Sequence, residues 1–163
     1  MSNHKFLLSC SLALLLASGT LPAAADATVK VKLWDKGGIM DLSKSMGLGM
    51  NMHGDLTKAI MGIEISKKSV PAGKVTFDVT NASAETIHEM IISAVNHTDV
   101  TLPFVESDSR VDEDAFGDLG EVSELDPGKS GKLTLDLKPG LYILYCNVPG
   151  HYMAGMWTTV EVK

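Results

Sequence analysis

The sequence predicts an all-β protein, a two-sheet Greek-key sandwich with an irregular Met- and Gly-rich segment near its start. Three observations predict it. From residue 61 onward, apolar and polar residues alternate in short runs such as "GIEIS", "KVTFDVT" and "MWTTVEV", the period of half-buried strands. Turn-forming stretches, "PAG", "NAS", "DPGKSG" and "KPG", separate those runs. Seven or so short strands in a chain of this length are best accommodated by two packed sheets. No internal repeat and no linker divides the chain.

The elements follow in order. Residues 1–25 read as a secretory signal peptide: "MSNHK" gives a short positive start, Phe6 to Ala17 an apolar run, and Ala23 to Ala25 small residues for cleavage. The run is too short to span a membrane. Cys10 lies inside it, before the run is complete, which disfavours a lipoprotein site. Residues 26–163 then form one domain, exported to the periplasm. "VKVKLW" (29–34) is the first strand. Residues 36–61 are rich in Gly and Met, with a short helix expected near "GDLTKAIM". Strands are expected at 62–66, 74–80, 88–93, 131–137, 140–146 and 156–162. The 74–80 strand is expected to pair beside the one that opens at His88. "LYILYC" is apolar on both faces and suits a central strand. Residues 106–126 hold nine acids against Arg110 and read as a solvated loop with a helical turn.

Charge and cysteine count narrow the function. The formal net charge is −6, and Lys5 is the only charged residue among the first 25, so cleavage takes it to −7. Such a balance argues against nucleic acid and anionic membranes and permits a basic partner protein. Cleavage also removes Cys10 and leaves Cys146 as the only thiol. A lone thiol in an oxidising compartment must be buried or held by something.

What surrounds it indicates what holds it. In "YCNVPGHYMAGM" (145–156), Cys146, His151 and Met156 stand at even intervals, with Pro149 and Gly150 allowing a tight reversal. Thiolate and thioether favour Cu(I), whereas imidazole suits both copper oxidation states. Two imidazoles, one thiolate and a weak axial thioether make a type 1 copper site. The second imidazole must come from elsewhere. His88, at a strand start after a polar turn, is preferred to His97. Met153 is a lesser alternative for the axial position.

Together, "PAGKVTFDVTNAS", "HEM" and "LDPGKSGKLTLDLKPGLYILYCNVPGHYMAGM" resemble the cupredoxins, the plastocyanin/azurin family of small blue copper proteins, from about residue 61 to the end. The resemblance is closest to the exported bacterial branch. It implies a sandwich of about eight strands with copper at one end, held by His88, Cys146, His151 and Met156. It also implies a one-electron carrier, not an enzyme, exchanging electrons through the exposed edge of His151 with a redox partner. Many members carry Asn or Ser after the first histidine, clamping the cysteine loop. Glu89 stands there instead and leaves the clamp open. The backbone N–H of Asn147 is expected to tune the thiolate.

The alternative function is copper handling. Met46, Met50, Met52 and His53 could form a second Cu(I) site, although methionines also serve as adaptable packing. A multicopper enzyme is disfavoured because no His-x-His pair occurs and only His53 and His97 would remain for it. A methionine ligand is likewise a poor choice for structural zinc. The protein is expected to be a monomer.

Overall fold

The computed structural model describes residues 26–50 and 56–163. The expected leader, Met52 and His53 therefore lie outside the described residues. The first sheet contains β1 (Ala27–Asp35), β2 (Met61–Ile65), β4 (Gly73–Asn81) and β9 (Ser130–Leu137), in the order β2-β1-β4-β9. The second contains β3 (Ser69–Val70), β5 (His88–Val95), β8 (Gly120–Leu125), β10 (Gly140–Tyr145) and β11 (Trp157–Val162), in the order β3-β11-β10-β5-β8. A small ribbon pairs β6 (Phe104–Val105) with β7 (Arg110–Val111). Neighbours that are distant in sequence, including the parallel pair β1 and β4, give the crossovers of a Greek key.

Alternation in the sequence becomes the inner face of the sandwich. Val29, Val31 and Leu33 of β1 and Val75, Phe77 and Val79 of β4 are all buried, facing Met90, Ile92 and Leu144 of the other sheet. Burying a side chain such as Phe77 stabilises the fold by roughly 1.5–3 kcal/mol relative to leaving it exposed. β10 lies between β11 and β5 and is buried on both faces, as its sequence predicts.

The structure corrects two expectations. β4 does not pair beside β5; it pairs with β1 and β9 in the opposite sheet. The intervening turn carries the chain from one sheet to the other. Asn81 ties that crossing together, donating from Nδ2 to the Thr86 and Leu125 carbonyls and accepting at Oδ1 from the Ser83 N–H. The acidic 106–126 stretch is also more than a loop. It contains β7, a short helix α1 (Glu113–Phe116) and β8, which forms an edge of the second sheet against β5. Only Val122 of β8 is fully buried. An edge strand facing water on most of its positions leaves too little alternation to read. The short helix expected near residue 56 is a single 3₁₀ turn at Leu56–Lys58.

Candidate metal centre

Three elements deliver three donors to one end of the sandwich. His88 opens β5, Cys146 directly follows β10, and His151 lies on the turn between β10 and β11. Gly150 precedes His151 at φ +82°, a left-handed conformation that glycine adopts without a steric penalty. His88 Nδ1 lies 3.2 Å from His151 Nδ1, which lies 3.3 Å from the Cys146 sulfur. All three residues are buried, and their donor atoms lie within 4.8 Å of one another. An ion about 2.0–2.3 Å from each donor would hold them at roughly such separations.

The electrostatics of the cluster suit a metal ion. Burial pushes the Cys146 thiol up to about 12, against smaller opposing effects from backbone N–H groups of Glu89 and Val148. Burial, reinforced by His88, pulls His151 down to about 4. Burial also lowers His88, against the opposing pull of Asp35. In the absence of metal, the cluster is thus a neutral thiol and two neutral imidazoles. A cation would displace the thiol proton and accept three lone pairs.

Met156 is fully buried just before β11. Its carbonyl accepts from the Cys146 N–H at 3.1 Å, and its own N–H donates to the His151 carbonyl at 3.0 Å. Met153 is half-buried and lines a separate cavity of about 470 Å³ with Ser45, Met50 and Glu106. His97 is exposed, ion-pairs with Asp99 and takes no part in the cluster.

Several groups around the donors were not legible in the sequence. Glu89 supplies the clamp: its carboxylate accepts from the Asn147 N–H at 2.9 Å, while its own N–H points at the Cys146 sulfur at 3.5 Å. The Asn147 N–H thus serves Glu89, and the sulfur receives its N–H contacts from Glu89 and Val148. The Asn147 side chain pairs in both directions with the backbone of Val111, at 2.7 and 3.0 Å, and also reaches Glu113. Gly150 N–H donates to the Ser109 carbonyl at 2.8 Å. The acidic stretch therefore braces the cysteine loop.

Asp35, at the end of β1, lies behind His88, with Oδ2 3.0 Å from Nε2. Its other oxygen accepts from the Gly37 N–H at 2.8 Å, and the Ser83 side chain also bonds to it. Burial alone would raise the Asp35 pKa. Hydrogen bonds from Ser83, His88 and Gly37 outweigh that effect and hold it below the usual value.

The Met-rich segment crosses the cysteine loop as a strap. Met40 and Leu42 pack over Gly150, and Met46 packs against Gly155. Met46 N–H donates to the Met153 carbonyl at 2.6 Å, and Trp157 Nε1 donates to the Met46 carbonyl at 2.6 Å. His151 itself is only 4% exposed, so little of the imidazole edge expected from the sequence reaches the surface.

A comparison with curated protein sequences gives no significant match. Among solved structures, the chain is similar to auracyanin B at 25% identity, with a TM-score of 0.51, over 88% of this chain and 93% of that one. It is also similar to rusticyanin from Thiobacillus ferrooxidans at 15% identity, with a TM-score of 0.55, over 85% and 77% of the two chains. The family model of copper binding proteins, plastocyanin/azurin family, matches residues 50–163. With a buried His–Cys–His cluster at one end of a two-sheet sandwich, and most of its length matched, the chain belongs to the plastocyanin/azurin family of copper-binding proteins.

Proposed function

We propose that the protein is a periplasmic one-electron carrier with a single type 1 copper, held by His88, Cys146 and His151 with Met156 as the axial thioether. The observation that carries this reading is the convergence of one buried thiol and two buried imidazole Nδ1 atoms, on a cysteine loop held by Glu89 and Val111. Copper bound there would supply the one-electron couple. The chain's own part is to exclude water, fix the imidazoles and keep the thiol loop rigid, so that little rearranges between oxidation states. Nothing in this scheme requires a bound substrate. Met156 is favoured over Met153 because it is fully buried and hydrogen-bonded between the two loop donors. Export through the leader at 1–25 is part of the proposal. Copper-loaded protein is expected to show an intense visible band, and Cys146→Ser to abolish it. Retention of the full band in that variant would remove the ligand assignment.

A partner of basic charge belongs to the same reading. The acidic stretch is mostly exposed and braces the cysteine loop through Asn147 and Gly150, so a docked cationic surface would sit beside the metal end.

One observation favours the second reading, Cu(I) handling. Met50 and Met153 line one cavity with Glu106, a soft and anionic lining open to a transferable ion. Among the described residues, Met40 and Met46 of the strap pack on the loop instead. Replacing Met50 and Met153 with Leu is expected to leave the visible band intact. A fall in Cu(I) stoichiometry from two to one in a competition titration would establish the second site, and an unchanged value of one would eliminate it.

A further inference from the structure

We propose that Asp35 is a positioning residue for the metal centre, fixing the tautomer of His88 and placing a negative charge one imidazole ring away from the metal. The inference rests on the copper reading above and goes beyond its ligand set.

The geometry is specific. Asp35 closes β1 in one sheet, and His88 opens β5 in the other. The contact between them, 3.0 Å from Oδ2 to Nε2, spans 53 residues of sequence and bridges the sandwich. The His88 side chain is completely buried, and that of Asp35 is 8% exposed. An ionised carboxylate only accepts, so Nε2 of His88 must carry the hydrogen. Nδ1 is thereby left with its lone pair, and Nδ1 is the atom that faces His151 and the thiol.

Why a carboxylate and not an amide follows from the number of donors. Oδ1 is engaged by the Gly37 N–H and Oδ2 by His88, with the Ser83 side chain as a further partner. An asparagine offers one acceptor oxygen to these donors and would turn its own NH₂ toward one of them. A carboxylate satisfies both and adds charge. Carboxylates behind metal-bound histidines raise the basicity of the imidazole and orient it. A more basic, anion-backed imidazole stabilises the cupric state more than the cuprous state, because the cupric ion carries the larger charge. Asp35 therefore biases the couple toward oxidised copper.

The test uses the full chain with Asp35→Asn and Asp35→Ala, and two readouts. In metal-free protein, the ¹⁵N NMR shifts of His88 are expected to report a single Nε2–H tautomer in the parent chain and a mixture in Asp35→Ala, which offers no acceptor. In copper-loaded protein, both variants are expected to shift the ratio of Cu(I) to Cu(II) affinity by about tenfold toward Cu(I). That change reads as a reduction potential about 59 mV higher. A parent-like tautomer in Asp35→Ala overturns the positioning role, and a parent-like potential in both variants overturns the charge role. Loss of stability with neither readout moved would make Asp35 a packing residue only. If Asp35→Ala fails to fold, Asp35→Leu, which likewise offers no acceptor, carries the tautomer measurement and Asp35→Asn carries the potential. The tautomer readout needs no copper, so it judges Asp35 even where the copper assignment itself fails through Cys146→Ser.

Discussion

Glu89 illustrates how a single residue acts through its neighbours in this site. It stands beside His88, is itself buried, and carries two jobs on opposite sides of its own backbone. Its N–H faces the Cys146 sulfur, and its carboxylate holds the Asn147 N–H. Burial raises its pKa, against the opposing Asn147 hydrogen bond, with Glu113, Glu121 and Glu124 adding to the rise. Substituting Ala would leave the buried Asn147 N–H without an acceptor, at a cost of about 1–3 kcal/mol. Urea unfolding of the metal-free protein is expected to show that loss for Glu89→Ala and a smaller one for Glu89→Gln, which retains an acceptor oxygen. Equal stability of Glu89→Ala and the parent chain would mean the clamp is idle. The sequence marks Glu89 only as an unusual neighbour of His88. Its partner lies 58 residues away, and no local pattern encodes that distance.

At the scale of elements, the strap and the acidic segment both brace the cysteine loop. Gly49 anchors the strap. It adopts φ +68°, its carbonyl accepts from Thr101 Oγ1 at 2.7 Å, and a Cβ there would collide with the backbone of Val100. Gly49→Ala is expected to cost about 1–3 kcal/mol of local stability, from backbone strain and that collision. Trypsin cleavage at exposed Lys44 should accelerate in the variant while the far-UV circular dichroism of the sandwich persists. Cleavage at the parental rate would show that the strap does not depend on this anchor. The strap was legible in the sequence as a soft Met/Gly segment, and packing was one of its two readings. Its placement over Gly150 and Gly155 was not, because the contacts join residues about 110 positions apart. β8 stayed hidden for a different reason: its acids face water, and its pairing with β5 contains a register shift.

For the molecule as a whole, charge governs encounter. The net charge of −6 is not spread evenly, since nine acids fall within 106–126, and that stretch lies against the cysteine loop. Under the proposed electron-carrier reading, the rate constant with a basic redox partner is expected to fall several-fold between about 10 and 150 mM ionic strength, over which the screening length shrinks from ~30 to ~8 Å. Stopped-flow reduction followed at the visible band would measure it. A rate indifferent to salt would remove the acidic face from the docking surface. Among the described residues, no helix is long and apolar enough to cross a membrane.

The sequence by itself determined the sandwich and the central position of β10, and it marked the loop that brings Cys146 and His151 into the cluster. Alternation, turn residues and the spacing of Cys146, His151 and Met156 are local properties, and local properties survive in a one-dimensional string. His88 as the converging imidazole was also preferred from its place at a strand start. Only the tertiary structure decided that β4 and β5 lie in opposite sheets, that Glu89 is the clamp, that Asp35 backs His88, and that His151 is almost wholly buried. Each of those depends on where two distant segments meet once both sheets have buried their apolar faces. That meeting is set by packing of the whole chain, to which no short stretch holds the key.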